Sequence, residues 1–334
     1  MHNRWMFRDK IPSMPWMISL MAVLPSVAAG QVARIELYPI DSVTVTNQQF
    51  LRGDKNGKRV VIAGELQLPR GEGRFPAVML VHGSGGVGAR EDRWAQELNG
   101  IGVAVFLLDT FTGRGIVQTN TDQSQLGALP MIGDAYRALA VLSKHPRIIP
   151  SQIALMGFSK GGDVALHASM QRFQRMYGAP GVEFAAFLPF YAPCNTRYRD
   201  DDQISNQPIR MFHGAADDWV PVASCRDYVK RLQAAGKDIQ ITEYSGAQHA
   251  FDNYLTPVRD MADAQTSRSC SLEEVEGGAI VNRETRRPFT LSDPCVERGA
   301  KLGYDASATE KATTAVKDFL ISLWKLRTHS TVRR

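Results

Sequence analysis

The pentapeptide Gly157-Phe158-Ser159-Lys160-Gly161 lies between an apolar run at residues 153–156 and an amphipathic stretch at residues 163–170. A strand that turns abruptly into a helix leaves room only for glycine on both sides of the turning residue. Such a turn lifts the serine hydroxyl above the edge of a sheet and aims the positive end of a helix at it. The pattern therefore demands a strand–turn–helix unit, and the rest of the chain must supply the sheet. A motif this short arises by accident often enough that its meaning depends on what accompanies it.

The accompanying pattern is an alternation. Residues 60–68 alternate as a strand, and residues 77–82 and 103–108 are continuous apolar runs of the kind found in central parallel strands. Residues 94–98 belong to a helix between those two runs. Helix-period segments at 132–142, 163–170, 226–234 and 309–326 then alternate with apolar runs beginning at Ile153, Phe184, Ile209 and Ile239. This predicts an α/β fold, a mostly parallel twisted sheet with helices on both faces. The irregular segments 112–130, 193–207 and 264–305 are expected to shape any pocket.

Residues 1–29 read as an export signal. Arg4, Arg8 and Lys10 form a basic start, residues 18–24 are apolar, and Val27-Ala28-Ala29 offers a small-residue cleavage pattern. The apolar stretch at 16–24 is short and ends at Pro25, which argues against a lasting membrane span, a retained N-terminal anchor being the alternative. Residues 30–334 are expected to form a single domain, located in the periplasm or secreted. Cys194, Cys225, Cys270 and Cys295 are an even set without metal-binding spacing, as suits an exported chain. Of the three possible pairings, Cys194 with Cys225 and Cys270 with Cys295 is favoured because each closes a local loop, the second within the 264–305 insert. The formal charge of +5 falls to about +3 without residues 1–29. That excess is weak and scattered, which argues against nucleic acid as a partner. His2, His145, His167 and His329 show no ligand spacing, so no metal is expected, and His167 reads as packing or surface.

Two further residues complete a chemical pattern. Met211-Phe212-His213-Gly214-Ala215-Ala216-Asp217 places a carboxylate just past one apolar run, and Tyr244-Ser245-Gly246-Ala247-Gln248-His249 places an imidazole just past another. Serine, then aspartate, then histidine, each at a strand exit, is the chain order of the α/β-hydrolase triad. His249 is expected to take the proton of Ser159, and Asp217, with Asp218 in reserve, to orient the imidazole. Oxyanion donors are expected from the backbone of Lys160 and from the loop His82-Gly83-Ser84-Gly85-Gly86, with Ser84 preferred over Gly85. The same loop also spells G-x-G-x-x-G from Gly83 to Gly88, with Asp109 about 20 residues beyond, as a dinucleotide site would require. That rival leaves Ser159, Asp217 and His249 unexplained, so no cofactor is expected.

With these motifs in place, the chain resembles the dienelactone hydrolase family of α/β-hydrolases. The similarity rests on residues 108–115 (Leu-Asp-Thr-Phe-Thr-Gly-Arg-Gly), on Gly157 to Gly162, on His213 to Pro221, and on Ser245 to Phe251. The resemblance implies hydrolysis of a small-molecule ester or lactone. It also implies a substrate contact from Arg114, which is similar in position to one of the family's two anion-binding arginines; His82 and Phe158, beside the two loops of the site, are expected to contact substrate as well. Asn253 stands where the second arginine would follow the histidine, and serine replaces the cysteine nucleophile of members acting on dienelactone. An exported peptidase or amidase on the same fold and a non-catalytic binding protein are the alternative readings.

Overall fold

The computed structural model describes residues 32–326, so the expected export signal lies outside the described residues. In chain order the elements are β1 (Val32–Thr44), α1 (Asn47–Arg52), β2 (Lys58–Pro69), β3 (Phe75–Val81), α2 (Ala89–Asn99), β4 (Ala104–Asp109), α3 (Ala128–Leu142), β5 (Ile148–Phe158), α4 (Lys160–His167) and α5 (Gln171–Tyr177). They continue with β6 (Ala186–Phe190), β7 (Thr196–Arg197), β8 (Ile209–Gly214), α6 (Ala223–Ala234), β9 (Ile239–Tyr244), β10 (Arg259–Thr266), β11 (Leu272–Glu274), β12 (Ile280–Asn282), β13 (Glu297–Leu302) and α7 (Ala306–Trp324). The main sheet has the order β1-β2-β4-β3-β5-β6-β8-β9. Only the pairings β1 with β2 and β2 with β4 are antiparallel, and every later neighbour runs parallel.

The apolar runs fill the middle of this sheet because both of its faces are covered. All of β3 is buried, and its residues alternate between two cores. Ala77, Met79 and Val81 pack with Ile132 and Leu139 of α3, Val164 of α4 and Leu232 of α6. Val78 and Leu80 pack on the opposite side with Trp94 and Leu98 of α2 and with Val316 and Leu320 of α7. A fully buried side chain of this size contributes roughly 1.5–3 kcal/mol relative to exposure, so the two layers outweigh any single cross-link.

Three features differ from the sequence reading. β1 is an additional strand at the edge of the sheet, where alternate positions face solvent, with Ile35 57 % and Leu37 75 % exposed. The amphipathic stretch after Ser159 breaks at His167, and a separate helix, α5, follows. The 264–305 segment is not irregular throughout: β10 pairs with β13, and β11 joins β12 and β7 in a second small sheet. Trp219, Ala264, Ala300 and Leu302 form a small core beneath it. Disulfides join Cys194 to Cys225 and Cys270 to Cys295, the favoured pairing.

Arg114 is structural here, which corrects the expectation that it contacts substrate. Its guanidinium donates to both carboxylate oxygens of Asp134 on α3 at 2.8 and 3.0 Å, to Thr44 Oγ1 at 2.9 Å, and to the carbonyls of Thr110 at 2.6 Å and Val43 at 3.2 Å. The two side chains are 3 % and 0 % exposed. The pair fastens β1 and the turn after β4 to α3, leaving no donor for a ligand carboxylate. Removing one partner would strand a buried charge. Arg114→Ala is therefore expected to cost about 3–5 kcal/mol of stability, read from urea unfolding, with much of that recovered in Arg114→Met/Asp134→Leu. A loss below about 1 kcal/mol in the single variant would contradict the assignment.

Candidate active site

At the end of β5 the backbone of Ser159 adopts φ 55° and ψ −114°, a region that costs a side-chain-bearing residue of order 1–3 kcal/mol. Its surroundings enforce that conformation. The Ser159 amide donates to Phe190 O at 3.0 Å, and the amide of Asp163 donates back to Ser159 O at 2.9 Å. Glycines allow the close approach: a Cβ on Gly157 would stand 1.9 Å from Gly161 O, one on Gly161 2.1 Å from Val81 O, and one on Gly162 2.4 Å from Phe190 O. The start of α4 is thus pressed onto β3, β5 and β6, and the hydroxyl projects from the sheet's C-terminal edge.

His249 must reach this hydroxyl from β9, three strands away, roughly 14 Å at ordinary strand spacing. Its loop folds back and is tied to the loop after β8, with Ala215 N donating to Tyr244 O at 2.8 Å and Ala216 N to Ala247 O at 3.0 Å. From the other side Gly303 N donates to His249 O at 3.0 Å. The imidazole lies between the rings of Tyr191 and Trp219, at centroid distances of 4.8 and 5.0 Å. Its Nε2 is 2.9 Å from Ser159 Oγ, and its Nδ1 is 2.8 Å from Asp217 Oδ2.

Asp217 is buried, and its other oxygen accepts the amides of Trp219 at 3.0 Å and Val220 at 2.8 Å. A carboxylate can only accept, so Nδ1 of His249 carries the proton and Nε2 offers its lone pair to the serine. Asp218 points elsewhere, accepting the amide of Lys301 at 2.7 Å. Of the two neighbouring acids, then, Asp217 is the one brought to His249. His213, also beside Asp217, has its pKa lowered by burial, and its Nε2 lies 2.7 Å from Val220 O.

Ser159, Lys160 and Ser84 open onto one cavity of about 600 Å³. All three segments expected to shape a pocket contribute walls, among them Leu126, Asn195 and Phe289. The corner between β1 and α1, residues 44–47 with Gln49, also lines it; the local hint there is the capping pair Thr46 and Gln49. The Ser84 hydroxyl exchanges hydrogen bonds with the Gln123 side chain at 3.2–3.3 Å. Lys160 donates through Nζ to Thr119 Oγ1 at 2.9 Å and Leu126 O at 2.6 Å, and burial pulls its pKa down to about 7.

His82 and Phe158 stand behind the cavity rather than on its wall, which corrects their expected substrate contacts. His82 is fully buried, with Nδ1 2.8 Å from Gly83 O and Nε2 accepting the Thr110 amide at 3.2 Å, and so braces the Ser84 loop against the end of β4. Phe158 is also fully buried, with the Arg90 guanidinium 4.2 Å from its ring centroid. Arg90 donates to Tyr191 Oη at 3.2 Å, and Tyr191 donates to Asp252 at 2.6 Å, as does Trp94 Nε1 at 2.7 Å. This buried network supports the face of His249 through Tyr191, and nothing in local sequence spacing pointed to it. Asp109, the acid of the dinucleotide rival, is taken up by its own turn, accepting the amides of Phe111 and Thr112 at 2.9 Å.

Known proteins share this fold. A protein of Bradyrhizobium sp. named "Probable 2-oxo-3-(5-oxofuran-2-ylidene)propanoate lactonase" is 23 % identical over 199 residues, covering 57 % of this chain and 79 % of its own. The structure of a dienelactone hydrolase-like promiscuous phosphotriesterase from metagenomic libraries superposes with a TM-score of 0.54 at 18 % identity, over 86 % of this chain and 98 % of the other. Thermogutta terrifontis esterase 2, phosphoramylated by tabun, superposes with a TM-score of 0.55 at 16 % identity, over 89 % and 98 % of the two chains. These likenesses are of fold. The sequence model of the Dienelactone hydrolase family matches residues 62–323, most of the chain. The fold is that of the α/β-hydrolases, and the chain belongs to the dienelactone hydrolase family, as a carboxylic ester hydrolase.

Proposed function

We propose that this protein hydrolyses its ester or lactone through an acyl-enzyme on Ser159. The observation that carries the reading is the unbroken path Ser159 Oγ, His249 Nε2, His249 Nδ1, Asp217 Oδ2, with separations of 2.9 and 2.8 Å at its two hydrogen bonds. As Oγ attacks the carbonyl carbon, His249 takes the hydroxyl proton, and Asp217 stabilises the imidazolium that forms. The carbonyl oxygen becomes an oxyanion, which accepts the amide of Lys160, the first residue of α4, and the amide of Ser84 across the cavity. The imidazolium then protonates the departing alkoxide. A water deprotonated by His249 attacks the acyl carbon, and the serine leaves with the proton returned.

The covalent modification of the Thermogutta esterase by tabun supports a nucleophile of this type, and the Bradyrhizobium protein's name supports a lactone as one substrate form. The two disulfides suit an oxidising compartment, in keeping with export to the periplasm or beyond, and the insert packed on Trp219 suits one domain over residues 30–334.

Ser159→Ala is expected to lower p-nitrophenyl acetate turnover by about 10⁴-fold or more while leaving the thermal midpoint within a few degrees. Turnover within tenfold of wild type would refute the acyl-enzyme. Lys160 yields a second test. With its folded pKa near 7 against the ordinary 10.5, the unfolded chain binds more protons between these limits. The unfolding free energy of wild type minus that of Lys160→Met should therefore rise with pH from 7 to 10 and stay flat below 6. A flat difference throughout would show that burial does not hold the ammonium down.

A further inference from the structure

The loop that carries Ser84 is pressed against the nucleophile. A Cβ on Gly83 would stand 3.4 Å from Ser159 Cβ and 2.9 Å from Phe158 O, and the next side chain along, Ser84, lines the same cavity as Ser159. Residues of the strap between β4 and α3 hold that side chain. The Thr119 amide donates to Ser84 O at 2.7 Å. Thr119 is fully buried, and its hydroxyl oxygen accepts Lys160 Nζ at 2.9 Å. Its single proton goes to Gln123 Oε1 at 3.4 Å, so the other end of that amide, Nε2, is the group that donates to Ser84 Oγ at 3.2 Å.

Accepting from Nε2 leaves Ser84 Oγ its own proton, which swings about one bond. Its neighbour in the resting site is Gln123 Oε1 at 3.3 Å, a neutral acceptor already engaged by Thr119. A carbonyl oxygen that gains negative charge is the stronger acceptor, because charge-assisted hydrogen bonds are roughly twice as strong as neutral ones.

We propose that the Ser84 hydroxyl is a third oxyanion donor beside the amides of Ser84 and Lys160, and that Gln123, itself held by Thr119 and Lys160, is the positioning residue that leaves its proton free for that task. The proposal rests on the acyl-enzyme reading. Ser84→Ala keeps the backbone amide and removes only the hydroxyl. With p-nitrophenyl acetate its kcat is expected to fall about 10²-fold while KM stays within about threefold, because the donor acts once charge develops. A trifluoromethyl ketone, whose carbonyl adds Ser159 Oγ and leaves an oxyanion, should lose affinity for Ser84→Ala by a factor similar to the loss in kcat. Gln123→Met is expected to lower kcat about fivefold or more in the wild type and less than about twofold in Ser84→Ala, since Gln123 acts through the hydroxyl. A kcat for Ser84→Ala within about fivefold of wild type, a loss carried by KM, unchanged ketone affinity, or equal effects of Gln123→Met in the two backgrounds would overturn the inference. Failure of the acyl-enzyme reading would appear separately, as equal affinity of the ketone for wild type and Ser159→Ala.

Discussion

The positive φ of Ser159 is the constraint from which the site is built. A residue with a side chain does not hold that conformation unaided, so neighbouring backbone must impose it. The three glycines around it let α4 lie against the carbonyls of Val81, Gly157's own turn and Phe190, and those contacts exist only if β3, β5 and β6 are parallel and in register. The hydroxyl's position is thus a property of the sheet rather than of one residue. The strain is small beside the two apolar layers that hold the sheet together.

Much of this was legible because the chemistry coincides with strong local signals. Continuous apolar runs separated by helix-period segments announce a parallel sheet, and such a sheet delivers its loops to one edge, so Ser159, Asp217 and His249 could be brought together from their order alone. What could not be read was anything set by contacts far apart in sequence. Arg114 resembles an anion-binding residue in its local motif, but Asp134, twenty positions later, claims its guanidinium. His82 and Phe158 flank the site in sequence and sit behind it in space, because strand and elbow residues point alternately towards ligand and core. The choice between Asp217 and Asp218 turned on where each carboxylate finds amides, which adjacent positions do not reveal.

The cavity shows the same division between local and distant signals. Its walls come from the loops that carried no periodicity, and these are held by bonds between side chains and backbone as well as by the burial of Leu126 and Ala264. Gln265 Oε1 accepts the Gln123 amide at 2.8 Å, and the Gln265 amide donates to Asn120 O at 2.8 Å, joining the insert to the strap that carries Leu126. Lys160 anchors the same strap from beneath. Lys160 thus stands next to Ser159 at the start of α4 while its side chain ties down one wall of the cavity.

The carbonyl of His249 accepts the amide of Gly303, just past β13, and Asp218 accepts the amide of Lys301 within that strand. The segment from β10 to β13 is thus a buttress for the His249 loop as well as a wall of the cavity. Anyone transplanting these three side chains into a smaller scaffold, or trimming the chain to its sheet and helices, would need to carry residues 297–303 along, because the carbonyl of His249 would otherwise lose its backbone donor.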